Sequence, residues 1–152
     1  MRKLIASLAC RNNSTRLYGK PVQNLDTKKN ITILEYIINL LKKISAIDEI
    51  VLAISHGEDN IIFKSIAEKN KIEYTFGSAE DVLKRLIISC EKVEGTDIFR
   101  MTTESPFVMF EYIEDAWAEH LQKNSDITVI DNVPDGSGFE IINLNAYKKS
   151  WK

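Results

Sequence analysis

TILEYIINLLKKISAIDEIVLAIS, Thr32 to Ser55, joins two kinds of periodicity in one stretch. Its first half carries apolar residues at helical spacing, and Thr32 with Glu35 forms the S/T-x-x-E capping box, so a helix is expected from about Ile33 to Lys43. Its second half, EIVLAIS from Glu49 to Ser55, is a β-branched run of strand length without alternation, the pattern of a strand buried on both faces in a parallel sheet. A helix feeding a doubly buried strand is the repeating unit of α/β proteins.

The unit recurs in both directions. Upstream, Leu4 to Ala9 reads as a first strand. Downstream come a helix near Asn60 to Lys69, the short strand IEYTF, and GSAEDVLKRLIISCEKV, where Ser78 and Asp81 make a second capping pattern before an amphipathic run ending near Gly95. TDIFRMT, EYIEDAWAEHLQK and DITVI then read as strand, helix and strand. The alternation predicts one domain over residues 1–152, a Rossmann-like doubly wound three-layer sandwich with a mostly parallel sheet. VPDGSGFEIIN adds a turn and a strand, while NAYKKSWK barely starts a helix before the sequence stops, which reads as a chain lacking a C-terminal part and leaving Trp151 exposed.

With 152 residues, 44% of them hydrophobic, the chain can bury a core without staples. A formal charge of -2 argues against general nucleic-acid binding, which shows as a basic domain or face. Cys10 and Cys90 lie far apart with no CxxC spacing, so both are expected as reduced, buried thiols in a cytoplasmic protein. MRKLIASLAC has the outline of a lipoprotein signal, but its apolar run is broken by Ser7 and falls below the roughly 7 to 15 residues of a signal core. No segment approaches the ~20 apolar residues of a membrane span, and no membrane partner is expected.

CRNNSTRLYGKP, Cys10 to Pro21, leaves the first strand at its carboxyl end, where doubly wound sheets bind ligands. Arg11 and Arg16 are suited to bidentate contact with phosphate, Lys20 is a flexible point charge, and Gly19 permits backbone geometry that a Cβ forbids. The loop matches neither G-x-x-x-x-G-K-[ST] nor G-x-G-x-x-G, so a P-loop enzyme and a dinucleotide dehydrogenase are unsupported. A solvated basic loop is the competing reading, and spacing alone does not choose between them.

Residues 11–20 also resemble the signature loop of the cytidylyltransferases that make activated sugars, most like the spore coat polysaccharide group. That signature runs arginine, any, glycine, serine, threonine, arginine, leucine, proline, glycine, lysine; seven positions are met, with Asn13 for the glycine and Tyr18 for the proline. DEIVLAIS, GSAEDVLKR, FRMT followed by Pro106, and the PDG at Pro134 to Gly136 follow in the family's order. The resemblance implies the nucleotide-diphospho-sugar transferase type of fold. It implies nucleotidyl transfer, in which a sugar hydroxyl or phosphate attacks the α-phosphorus of CTP and pyrophosphate leaves. The expected product is an activated, acidic sugar for surface polysaccharide.

By the same resemblance Arg11, Ser14, Arg16 and Lys20 hold the triphosphate, with Arg16 and Lys20 as the catalytic residues beside the phosphate under attack. Asn13 and Gly19 of that loop, and Ser78, Asp81 and Arg85 of GSAEDVLKR, belong to the nucleotide side. Mg2+ is the implied cofactor. The family's aspartate in a G-D-x-P turn is replaced in Thr103-Glu104-Ser105-Pro106, so Glu104 is the candidate metal ligand, with an exposed loop acid as the alternative. Asp135 and Glu140 are the candidate substrate-binding residues. Gly138 stands where the family commonly has an aspartate, and a late acidic segment has no counterpart.

Those departures support a competing expectation, a non-catalytic nucleotide-binding or interaction module on the same fold. Family members are often homodimers, but the segment that usually forms the contact is short or absent, so the oligomeric state stays open. Asp81 and Arg85 are one helical turn apart, and an i,i+4 ion pair explains them as well as a ligand does. His56 and His120 read as surface or core residues, and Tyr112 and Trp117 as core.

Overall fold

The capping box forms as expected. In a computed structural model that describes residues 1–13 and 18–151, Thr32 Oγ1 accepts from Glu35 N at 3.2 Å and Glu35 Oε2 accepts from Thr32 N at 3.2 Å. This starts α1, Ile33–Leu41, whose Leu34, Ile37, Ile38 and Leu41 are fully buried. Thr32→Ala removes the cap and is expected to cost about 1 kcal/mol. In a domain of this size that lowers the melting temperature by about 2–4 °C, readable by calorimetry.

The strands are β1, Leu4–Cys10; β2, Asn24–Asp26; β3, Ile31–Thr32; β4, Glu49–Ser55; β5, Glu73–Gly77; β6, Asp97–Arg100; β7, Ile127–Val129; and β8, Glu140–Asn143. The remaining helices are α2, Ile61–Asn70; α3, Val82–Lys92; α4, Ile113–Gln122; and α5, Leu144–Trp151. Six strands form one sheet in the order β5-β4-β1-β6-β8-β7, with β5, β4, β1 and β6 parallel and β8 antiparallel to both neighbours. The mostly parallel expectation holds. The β2–β3 hairpin, with its polar strands, gave no periodic signal in the sequence.

β1 divides the core by alternation. Leu4, Ala6, Leu8 and Cys10 pack with α1, with Phe63 and Ala67 of α2 and with Ile113 of α4, while Ile5 packs with Leu86, Ile87 and Cys90 of α3 and Leu144 of α5. Helices therefore cover both faces, giving three layers. Both cysteines are free and buried, and burial pushes the Cys90 thiol up to about 12, leaving it protonated and unreactive. Among the described residues no helix is long and apolar enough to cross a membrane.

Two local expectations change. The N-cap of α3 is Asp81, whose Oδ1 accepts from Lys84 N at 2.9 Å, whereas Ser78 Oγ closes the preceding turn by accepting from Glu80 N at 3.2 Å. The last segment is an eight-residue helix; Trp151 is exposed as expected, but it is tethered, since its Nε1 donates to Asp81 Oδ2 at 2.8 Å and the Lys84 ammonium lies 5.1 Å from its ring centroid.

From β1 the chain builds outward through β4 to β5, then returns across α3 to β6 on the other side of β1. The strand order reverses between β1 and β6, and the loops leaving their carboxyl ends part there. That is where an open α/β sheet has its ligand crevice.

Candidate functional site

A cleft of about 250 Å³ opens at this switch point, lined among others by Arg11, Lys20, Arg85, Arg100, Thr103 and Glu104. Its first wall is the root of the β1 loop. Asn12, buried, donates from its backbone N to Asn60 Oδ1 at 2.8 Å and from Nδ2 to the Asp59 carbonyl, while Asn60 Nδ2 donates to Ser55 Oγ at 2.9 Å. The loop closes where Gly19 N donates to Asn12 O at 3.0 Å, with Gly19 in the left-handed region at φ 66. One short helical turn, Lys20–Val22, with Pro21 buried, then directs Lys20 back to the cleft.

The opposite wall is the turn after β6. Thr103 Oγ1 donates to Ala9 O at 2.8 Å, binding that turn to the end of β1. Glu104 Oε2 thereby stands 2.9 Å from Lys20 Nζ, both side chains partly exposed.

Arg85 forms the floor. It is 2% exposed, and its Nη1 donates to the Ser78 carbonyl at 2.9 Å. Among the described residues its buried Nε has no partner and no carboxylate lies within ion-pair distance of its guanidinium. The expected i,i+4 pair with Asp81 does not form, because Asp81 is engaged by Lys84 N and Trp151. Burial lowers the Arg85 pKa and nearby Arg11 lowers it further, against the opposing pull of Cys10 and Asp81, although a guanidinium stays charged at neutral pH. A buried cation facing a second cation, without a counterion, is unfavourable until an anion arrives.

That arrangement can be set beside known proteins. A sequence model of the cytidylyltransferase family matches residues 6–152. The chain belongs to that family. The spore coat polysaccharide biosynthesis protein SpsF of Bacillus subtilis is 29% identical over 149 residues, 95% of this chain and 61% of that protein. A cytidylyltransferase of Leptospira borgpetersenii superposes with a TM-score of 0.87 at 22% identity, over 98% of this chain and 63% of that one. CMP:2-keto-3-deoxy-manno-octonic acid synthetase, solved with CTP, superposes at 0.74 and 11% identity, over 97% of this chain and 77% of that one. The chain spans about three fifths of the length of the curated relatives it matches.

Of the residues that the cytidylyltransferase signature singled out, Arg11, Lys20, Arg85 and Glu104 meet in the cleft. Gly19 shapes the loop, and Asn13 is exposed beside it. Ser14 and Arg16 lie outside the described residues. Ser78 contributes its carbonyl to Arg85. Asp135 is exposed in the turn before β8, and the neighbouring Gly136 faces the Ser105 hydroxyl. Glu140 pairs with Arg100 and lines a second hollow of about 200 Å³ that shares Arg100, Met101 and Thr102 with the cleft. Sequence reasoning missed Arg100 and the Asn12–Asn60 anchor. The Arg in FRMT was quoted only as strand, and the asparagines lie 48 residues apart.

The donor chemistry bears on a metal. Glu104 is the carboxylate lining the cleft, and among the described residues no three His, Cys, Asp or Glu side chains cluster as a metal site. Magnesium is commonly held by one or two carboxylates plus substrate phosphates. The residues therefore fit a divalent ion that arrives with a nucleotide and takes Glu104 as its protein ligand. They do not fit a resident all-protein site.

Proposed function

We propose that the cleft binds CTP and that the protein transfers its cytidylyl group to a sugar, an acidic one, for surface polysaccharide synthesis. The observation that carries this reading is the buried Arg85, without a counterion among the described residues, beside Arg11 and Lys20 at the sheet's switch point. The acceptor oxygen forms a bond to the α-phosphorus, the bond to the bridging β-phosphate oxygen breaks, and pyrophosphate leaves. A hydroxyl acceptor loses its proton in the same step, to water or to the departing pyrophosphate. Arg11 and Arg85 hold the departing phosphates, and Lys20 reaches the phosphate under attack after leaving Glu104. Such positioned charge is the main catalytic contribution in transfers of this kind. Bound Mg2+ would supply charge neutralisation between phosphate oxygens, with Glu104 as its ligand on this chain.

The hollow lined by the paired Arg100 and Glu140 is the candidate acceptor site, since it opens onto the same wall. Arg100 suits a sugar carboxylate, and Glu140 suits sugar hydroxyls. The reading extends to a cytoplasmic protein working on soluble CTP and sugar, and leaves the oligomeric state open.

The test is pyrophosphate release from CTP with a panel of acidic sugars, alongside calorimetry of CTP with and without Mg2+. Turnover that falls roughly 100-fold in Lys20→Ala is expected, the scale seen for losing one transition-state donor. The Lys20–Glu104 ion pair favours a second reading, a nucleotide-binding module without turnover. CTP binding that needs no Mg2+, with no pyrophosphate from any acceptor, selects it. No CTP affinity in either condition rejects both.

A further inference from the structure

Gly77 ends β5 beside the cleft, and its backbone is not among those with positive φ, so nothing in its conformation requires glycine. What requires it is Arg85. A Cβ at position 77 would stand 2.7 Å from Arg85 Cγ, 3.4 Å from Cδ and 3.7 Å from Cβ. Real Cβ atoms do not approach that closely, and the atom in the way belongs to the stem, not the free end of the side chain. The stem cannot swing aside cheaply, because α3 fixes one end and the Nη1 bond to Ser78 O fixes the other.

We propose that Gly77 is the positioning residue for the cleft's buried cation. The bare backbone at 77 is a groove in which the Arg85 stem lies, and the next carbonyl, Ser78 O, aims the guanidinium toward the anion. Gly77 and Ser78 thus act through backbone geometry on the charge that meets phosphate. This rests on the cleft being an anion site for a nucleotide's phosphates.

The test is a double-mutant cycle on the whole protein with Gly77→Ala, Arg85→Ala and the pair, read by calorimetry with inorganic pyrophosphate and by thermal melting. Both single variants are expected to weaken pyrophosphate binding, each by roughly 30-fold or more, the usual scale for losing a buried charged contact. The pair should lose no more than Arg85→Ala alone. Melting gives the second arm: Arg85→Ala leaves only a Cβ at 3.7 Å, ordinary contact, so the cost of Gly77→Ala should vanish in that background. A Gly77→Ala protein too unstable to purify is the strong form of the same clash, and refolding in the double variant supports the proposal.

Wild-type pyrophosphate affinity in Gly77→Ala overturns it, as does a loss that adds fully to that of Arg85→Ala, or a double variant no more stable than Gly77→Ala. Wild-type affinity in Arg85→Ala instead overturns the anion-site reading itself, and the proposal with it.

Discussion

Arg85→Met is expected to bind CTP roughly 100-fold more weakly than the wild type, about 3 kcal/mol, while melting at the same temperature or higher. The two halves have one cause. The guanidinium is desolvated, and among the described residues it has one carbonyl as partner and an unpaired Nε, so in the free protein it is a cost to folding. Methionine keeps the stem and most of the volume, and it removes the desolvation cost of a buried charge that has no ion-pair partner among the described residues. The charge therefore belongs to the ligand's side of the balance. Calorimetric titration and melting of the same preparation measure both halves. A variant that binds CTP normally, or that melts well below the wild type, would make Arg85 a structural residue and remove the main support for the nucleotide reading.

What could be read from the residues follows their range in sequence. α1 and β4 were legible because a capping box and a continuous apolar run are local signals, and both formed where expected. Arg11, Lys20 and Glu104 were legible as candidates through the family signature, and the fold brings them together because β1 and β6 are neighbours. Their pairing was not legible: Lys20 facing Glu104 follows from the Thr103 bond to Ala9, a long-range contact. Spacing misled at α3, where Ser78 and Asp81 satisfied one capping pattern but Asp81 holds the helix. Gly77 was quoted as part of GSAEDVLKR, yet its reason is the position of a side chain on the following helix. Charge-to-phosphate chemistry is written in residue types, whereas the geometry that aims it is written in backbone contacts.

Asp97→Ala is expected to be the most destabilising of these substitutions, and its effect should leave the cleft untouched. Asp97 is buried at the amino end of β6, away from the switch point. Its Oδ2 accepts from Arg2 Nε at 2.8 Å and Thr96 Oγ1 at 2.7 Å, and its Oδ1 lies against Arg2 Nη2 and 3.2 Å from His120 Nε2. Burial alone would raise its pKa, but the bonds from Arg2, Thr96 and His120 outweigh that and hold it below the usual carboxylate range. Removing it leaves Arg2 and His120 facing each other, with Nη2 and Nε2 2.9 Å apart. Breaking a buried pair in this way costs about 3–5 kcal/mol. For a domain of this size that is a fall of about 10 °C in melting temperature.

The pH dependence has a definite sign. Burial lowers the His120 pKa and Arg2 lowers it further, against the opposing pull of Asp97 and Asp126, so the folded ring prefers to be neutral. The folded state then binds fewer protons than the unfolded state at both His120 and Asp97, and stability rises with pH. Stability should be full above about pH 6.5, decline gently below it as unfolded histidine takes up protons, and decline again below about pH 4 as unfolded aspartate does. Melting curves of wild type, Asp97→Ala and His120→Gln between pH 3 and 8 separate the two limbs. His120→Gln should flatten the upper one and Asp97→Ala the lower. Pyrophosphate affinity in folded Asp97→Ala should match the wild type, because the network and the cleft sit at opposite ends of the strands. An unchanged melting temperature in Asp97→Ala would mean that Arg2, whose side chain is 23% exposed, recovers its hydration when the carboxylate goes.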